Sequence, residues 1–378
     1  ASIGTQTGAV KVFGQPGVEF YGQHTFVNNS GAELNIQLIE WVYGTGRLLS
    51  LTAANQLILW EPSGATLVAV KVLPFDGKLK KVSSLCCSLN KDIVWIGTEG
   101  GNVYQFDLQT FSVREPVIYH DVVLEQIPPT YKLNPGAIEA IRQLPNERNK
   151  LLIAYNRGLC VLWDLETSSV EKTYIAPGHG QSVGLFVNAE GSQFTWYHAD
   201  GSFATWNISN TYPPKNVNYV PYGPDPCKSI NRLFKGKRGS ADLIVFSGGM
   251  PRSAYGDHNC ISVHASDGNK ICLDFTSKVI DFFVTYKEET DEADVLIVLL
   301  EEEFCAYDLT DPKVAPIKTP YLHSVHASAV TCNYLSSQVT AEVYEQILKA
   351  GEEQDKHYNQ AEWPITGGTL PDSEETDD

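Results

Sequence analysis

Residues 94–107 read Val94-Trp95-Ile96-Gly97-Thr98-Glu99-Gly100-Gly101-Asn102-Val103-Tyr104-Gln105-Phe106-Asp107. An apolar strand, a small-residue turn and a second strand closing on an aromatic follow one another here. Gly101 can supply the positive φ that a tight hairpin demands. The same pattern recurs in degenerate form at 3–13, 49–60, 151–164, 194–207, 243–264 and 295–308. Phe13, Trp60, Phe106, Trp163, Trp206, His264 and Tyr307 hold the equivalent place, at spacings of 47, 46, 57, 43, 58 and 43 residues. A period of this size, built from alternating strands and hairpin turns, is that of four-stranded propeller blades. Gly8, Gly158 and the Asp200-Gly201 pair mark further hairpins. In the sixth copy a longer loop, 248–259, replaces the turn, and in the seventh Glu301-Glu302-Glu303 keeps the tip in water.

Seven copies predict an all-β chain: a seven-bladed β-propeller over 1–335, a short amphipathic helix over 336–350 and an acidic linker over 351–378. The first copy lacks its preceding strand, and 327–335 reads as one such strand standing alone. In this chain by itself it can take the vacant place in the first blade; in a longer protein it is expected to start the next one. The helix reading rests on Ser337 as cap, Val339, Val343 and Ile347 on one face, and Gly351 as its end. Its apolar stripe packs back on the blades or meets a partner.

Composition agrees with a folded, turn-rich protein. Of 378 residues, 43% are hydrophobic and 19% charged, and Gly and Pro number 30 and 20. The formal net charge of −17 argues against a nucleic-acid binder, which needs a basic footprint. The acidic tail holds nine acids against one base, so about half of that charge sits in 351–378. The longest clean apolar run, Val295–Leu300, is far short of the roughly 20 residues of a membrane span. Met250 is the only Met and the chain opens inside an apolar segment, which suggests a piece of a longer protein. The eight Cys (86, 87, 160, 227, 260, 272, 305 and 332) form no C-x-x-C, and most sit in apolar runs, so buried free thiols are expected.

Catalytic and metal motifs are weak. Gly180-Gln181-Ser182-Val183-Gly184 matches G-x-S-x-G, with His179, His198 and Asp200 nearby. A hydrolase elbow needs a strand before the serine and a helix after it; here a loop precedes Ser182 and a strand continues from it, and Asp200 is committed to a hairpin turn. His323 and His326 lie before a strand with no third ligand evident, and 288–292 lacks the central Gly of a calcium loop. No catalytic, cofactor-binding or metal residue is assigned, and no cofactor is expected. The candidate partner-binding residues are two basic clusters, Lys78, Lys80, Lys81 and Arg232, Lys235, Lys237, Arg238, together with Arg252 in the loop of the sixth copy. The clusters could meet an acidic partner or anionic lipid; the alternative for each is a solvated loop.

Long stretches resemble the lethal giant larvae family, its insect members most closely. They are GQPGVEFYGQHT (14–25), WVYGTGRLLSLTAANQLILWEP (41–62), LPFDGKLKKVSSLCCSLNKDIVWIGTEGGNVYQ (73–105), YHDVVLEQIPPTYKLNPGAIE (119–139), VFSGGMPRSAYGDHNCISVH (245–264) and LHSVHASAVTCNYL (322–335). The resemblance implies the first of two WD40 propellers in a protein about twice as long. It implies a non-catalytic scaffold in cell polarity and polarised exocytosis, cytoplasmic, at the cell cortex and the basolateral membrane periphery. The partners it implies are non-muscle myosin II, syntaxin-class SNAREs and the Par complex with atypical protein kinase C. Nucleic acid is not among them, and peripheral membrane association belongs to a full-length protein. The family's kinase-regulated basic loop lies outside this chain, so no phosphosite carries over. Two alternatives stand beside the scaffold: a GTPase-activating module, for which Arg252 is the loop Arg to test, and a serine hydrolase using Ser182.

Overall fold

The computed structural model describes residues 1–13, 19–24, 34–64, 66–75, 77, 79–90, 92–131, 134–176, 180–216, 219–253, 259–287, 290–301, 303–317, 329–336 and 339–355. Strands dominate and fall into seven repeated modules. The first holds β1 (Ser2–Thr5), β2 (Ala9–Phe13) and β3 (Glu19–Gln23); the second β4 (Ile36–Trp41), β5 (Leu48–Thr52), β6 (Gln56–Ser63) and β7 (Thr66–Pro74). The third holds β8 (Val82–Cys87), β9 (Ile93–Thr98), β10 (Val103–Asp107) and β11 (Ser112–Ile118), followed by a short helix, α1 (His120–Glu125). The fourth holds β12 (Ile138–Gln143), β13 (Lys150–Tyr155), β14 (Leu159–Asp164) and β15 (Ser169–Ile175). The fifth holds, among the described residues, β16 (Ser182–Val187), β17 (Gln193–His198) and β18 (Phe203–Asn207). The sixth holds β19 (Ile230–Arg238), β20 (Ala241–Gly248), β21 (Asn259–Ala265) and β22 (Lys270–Phe275). The seventh holds β23 (Val279–Tyr286), β24 (Ala293–Leu300), β25 (Phe304–Asp308) and β26 (Pro316–Ile317), and β27 (Val330–Tyr334) and α2 (Ala341–Asp355) end the described chain.

Each module is a meander, and the seven aromatic or histidine positions read from the sequence all lie on its third strand, counting β27 as the first strand of the first module. The hairpin glycines adopt the left-handed conformation expected of them, with φ of 85° at Gly8, 82° at Gly101, 71° at Gly158 and 83° at Gly201. The lone strand of the sequence reading, now β27, pairs antiparallel with β1 and supplies the missing strand of the first module. It does not start a further module in this chain.

Two compact units are present. The first comprises 1–74, 298–306 and 316–378. Its eight-stranded sheet, ordered β27-β1-β2-β3-β7-β6-β5-β4, is two modules joined where Tyr21 pairs in parallel with Thr66. Its core gathers Val10, Phe20, Ile36, Leu48, Trp60 and Leu67, and the buried Trp60 indole donates to Ser50 Oγ at 2.8 Å. Val343 and Ile347 of α2 are buried against this core, with Val339 packed beside them, so the apolar stripe packs back as one of the two readings had it. Gly351 lies inside α2 rather than at its end, and Ser337 lies outside the described residues.

The second unit comprises 75–297 and 307–315. The first strands β8, β12, β16, β19 and β23 stand side by side in it. Cores form between successive sheets; one gathers Tyr174, Phe194, Trp196 and Trp206 with Leu162 and Leu185. The eight cysteines are thiols rather than disulfides; Cys86, Cys160, Cys227 and Cys260 are buried as expected, whereas Cys272 is exposed.

Candidate interaction surface

The hydrolase elbow does not assemble. Ser182 is buried at the start of β16, directly opposite His198 in β17, and a strand rather than a helix follows it. Asp200 Oδ1 accepts from Ser202 N and from Ser202 Oγ, which commits it to the turn at Gly201. His179, His323 and His326 lie outside the described residues, as do Glu288 and Glu289. Among the described residues no group of three or more His, Cys, Asp or Glu is placed to hold a metal ion, and no helix is long and apolar enough to cross a membrane.

The first basic cluster sits where the chain enters β8. Lys80 and Lys81 are exposed, and Lys81 Nζ lies 4.0 Å from Glu99 on the neighbouring hairpin. Lys78 lies outside the described residues. Arg252 is exposed, but its Nε donates to Cys227 O at 3.0 Å and its backbone N–H to Pro226 O at 2.9 Å. These bonds seat its base on the backbone at Cys227, with the guanidinium tip outward.

The second cluster is not a loop patch. Arg232, Lys235, Lys237 and Arg238 are all in β19, and the pleat sends neighbours to opposite faces. Arg232 turns toward β23: its Nη1 is 3.5 Å from Asp281 Oδ2 and its guanidinium stands 5.5 Å from the Phe234 ring centroid. Asp281 is largely buried, and that burial pushes its carboxyl up, against the pull of Arg232 and the Phe282 N–H. Arg238 Nη2 approaches Asp267 at 3.9 Å. Lys235 turns the other way and donates to Thr205 Oγ1 at 3.1 Å; burial holds its ammonium below the usual lysine range. Lys237 alone of the four is exposed. Two of the four charges therefore serve packing between sheets and Arg238 approaches a turn of its own sheet, with partners distant in the chain that no local reading of 232–238 could have supplied.

The structure also shows a feature the sequence reading missed. Among the described residues the fifth sheet stops at three strands, and only Tyr219 meets the outer edge of β18 by a backbone bond, accepting from Phe203 N–H at 3.0 Å. The signal was present: the 58-residue step from Trp206 to His264 is the longest in the series, and it contains Pro213-Pro214, a pair with no N–H to give a ladder.

Comparison with known proteins places these features. A family model described as LLGL2 matches residues 218–315. Lethal(2) giant larvae protein of Drosophila pseudoobscura pseudoobscura is 79% identical over 98% of this chain, and that of Drosophila melanogaster 78% over 98%; the chain spans 32% of each. The human LLGL scribble cell polarity complex component 2 is 34% identical over 97% of the chain, which covers 37% of it. The chain thus spans about a third of the length of the curated relatives it matches, which are about three times as long and not about twice as expected. The crystal structure of the C-terminal WD40 domain of Sif2 aligns with a TM-score of 0.53 at 12% identity, covering 82% of this chain and 77% of that one. At that identity the likeness speaks for the fold: the repeated sheets are those of a WD40-type β-propeller.

Proposed function

Because the chain belongs to the lethal giant larvae family, we propose that it is a non-catalytic interaction scaffold of cell polarity, working at the cytoplasmic cell cortex and the basolateral membrane periphery. The observation that carries this is the match along 98% of the chain to lethal giant larvae proteins, joined to a human relative whose name places it in a scribble cell polarity complex. The burial of Ser182 and the commitment of Asp200 to its turn support the non-catalytic half of the reading. On the finer reading, the partners are non-muscle myosin II, syntaxin-class SNAREs and the Par complex with atypical protein kinase C. A rigid set of sheets suits that work, because affinity then comes from a few well-seated contacts without ordering the scaffold. Among the described residues, Lys80, Lys81, Lys237 and Arg252 are the candidates with exposed side chains.

Crosslinking the chain to a myosin II tail and to a syntaxin, with peptide mapping, tests the reading. Specific crosslinks that are reduced when Lys80, Lys81, Lys237 or Arg252 is reversed in charge are expected. If neither partner crosslinks above a control protein of the same charge, the finer reading is wrong for this chain. The GTPase-activating alternative predicts that Arg252→Ala abolishes stimulation of a GTPase; unchanged stimulation ends it.

A further inference from the structure

The unfinished fifth sheet carries an inference of its own. Residues of β18 alternate in the direction of their backbone groups. Ala204 and Trp206 stand opposite Trp196 and Phe194 of β17, flanked by the bonds His198 N–H to Ser202 O and Ile208 N–H to Ser192 O. Phe203, Thr205 and Asn207 therefore direct their N–H and C=O groups outward. Phe203 spends its N–H on Tyr219; Thr205 and Asn207 have no strand partner on that side among the described residues. An exposed strand edge is a template for another extended chain. The chain that follows does not close it: Tyr212 is 81% exposed and Pro213-Pro214 lack amide hydrogens.

The neighbouring sixth sheet shows what such a chain would meet. Leu233, Phe246 and Ser262 stand opposite one another in turn, and Tyr222 covers this row, with its hydroxyl 2.7 Å from Ser262 Oγ. The next row runs Lys235, Ile244, His264, Lys270. Directly opposed residues share a face, and Lys235 reaches Thr205 of β18 from this one. Tyr222 thus fills one end of the place a fourth strand would take and leaves the following row beside the open edge. Lys237, opposite Asp242, forms the row after that. Three lysines face this strip against one aspartate.

We propose that the fifth sheet takes an acidic, extended peptide segment of a partner protein as its fourth strand, paired in a backbone ladder to Thr205 and Asn207, with its carboxylates toward the exposed Lys237 and Lys270. The ladder is indifferent to the peptide's side chains, and the lysine row selects its charge. The site stands on the sheet's geometry and does not depend on which polarity partner the scaffold serves.

The test uses the full chain. Residue-resolved amide exchange is expected to show Ala204 and Trp206 protected and Thr205 and Asn207 exchanging fast. A fluorescein-labelled decapeptide alternating Glu with Val is expected to bind by anisotropy and to protect both edge amides, while its Lys-for-Glu counterpart does not. Lys237→Glu, at an exposed position, is expected to weaken binding by about tenfold, and Thr205→Pro, which removes an outward N–H, to abolish it. Absence of binding up to millimolar peptide, or binding untouched by Lys237→Glu, overturns the proposal. So does slow exchange at Thr205 and Asn207 in the chain alone: if removing 356–378 releases them, the occupant is the chain's own acidic tail, and if not, the edge is closed.

Discussion

Replacing Arg232 with Met should destabilise the protein in a way that depends on pH. The substitution keeps most of the aliphatic stem and removes the guanidinium, which stands over the Phe234 ring and compensates Asp281, 3.5 Å away. Asp281 is 13% exposed and Arg232 38%. Stripping the partner from a buried carboxylate costs about 3–5 kcal/mol. With one side of the pair reached by solvent, screening reduces that to about 2 kcal/mol, or roughly a 30-fold loss in the folding equilibrium. Burial already raises the Asp281 pKa above 3.8 and Arg232 works against that rise, so the variant's carboxyl titrates higher still. A carboxyl with a raised folded-state pKa is at no disadvantage while protonated, and it loses stability as pH rises through that pKa. The penalty of Arg232→Met should therefore be largest at neutral pH and shrink toward pH 5. Urea unfolding at both values measures it, and Asp281→Asn in the same background should flatten the dependence. Equal penalties at the two pH values, or a loss under about 0.5 kcal/mol at neutral pH, would mean that Arg232 is an ordinary surface charge.

Three further outcomes can be measured in the same way. Ser50→Ala leaves the buried Trp60 indole N–H without its acceptor and should cost about 2 kcal/mol; a Trp60→Phe background should remove most of that cost. Asn333 of β27 is buried with both side-chain polar atoms unpartnered, so Asn333→Leu should stabilise by about 1 kcal/mol in urea, and a loss of stability would indicate a bridging water. Burial lowers the His264 pKa to about 4; because the unfolded chain then binds the proton more readily, stability should fall as pH drops from 6.5 toward 4. His264→Phe, set among Tyr222 and Phe246, should lessen that fall in thermal scans.

The fold was legible because its signals are local and repeated. A glycine at the second-to-third hairpin, present in four copies, and an aromatic or histidine near the end of the third strand, present in all seven, need only a few residues to be seen, and their recurrence leaves little else for the chain to be. The place of β27 was only half legible. Its sequence marks it as a first strand, but whether it completes β1 or opens a new sheet depends on a pairing more than 300 residues away, 332 between Ser2 and Tyr334. The end of α2 was misread for a related reason. Gly351 is a fair stop signal, yet propensity is a weak prior beside a tertiary contact such as the one that seats Val343 and Ile347.

The basic cluster at 232–238 shows why sites are harder to read than folds. Four cations in seven residues look like a patch when the segment is taken as a loop. Once β19 is a strand, the pleat divides them: Arg232 goes to Asp281, Lys235 to Thr205 and Arg238 toward Asp267, and what remains for a partner is Lys237. Charge in a row thus says little until the face is known, while a gap in the repeat says more. The other modules hold four strands by backbone pairing that most sequences satisfy. A sheet that stops at three has a reason in its sequence, here Pro213-Pro214 and the tyrosines around them. The lysines that structural packing leaves over lie along that same opening. An interaction scaffold is therefore better searched where its repeat fails than where its charges cluster, because the failed repeat leaves backbone groups that another extended chain can pair with.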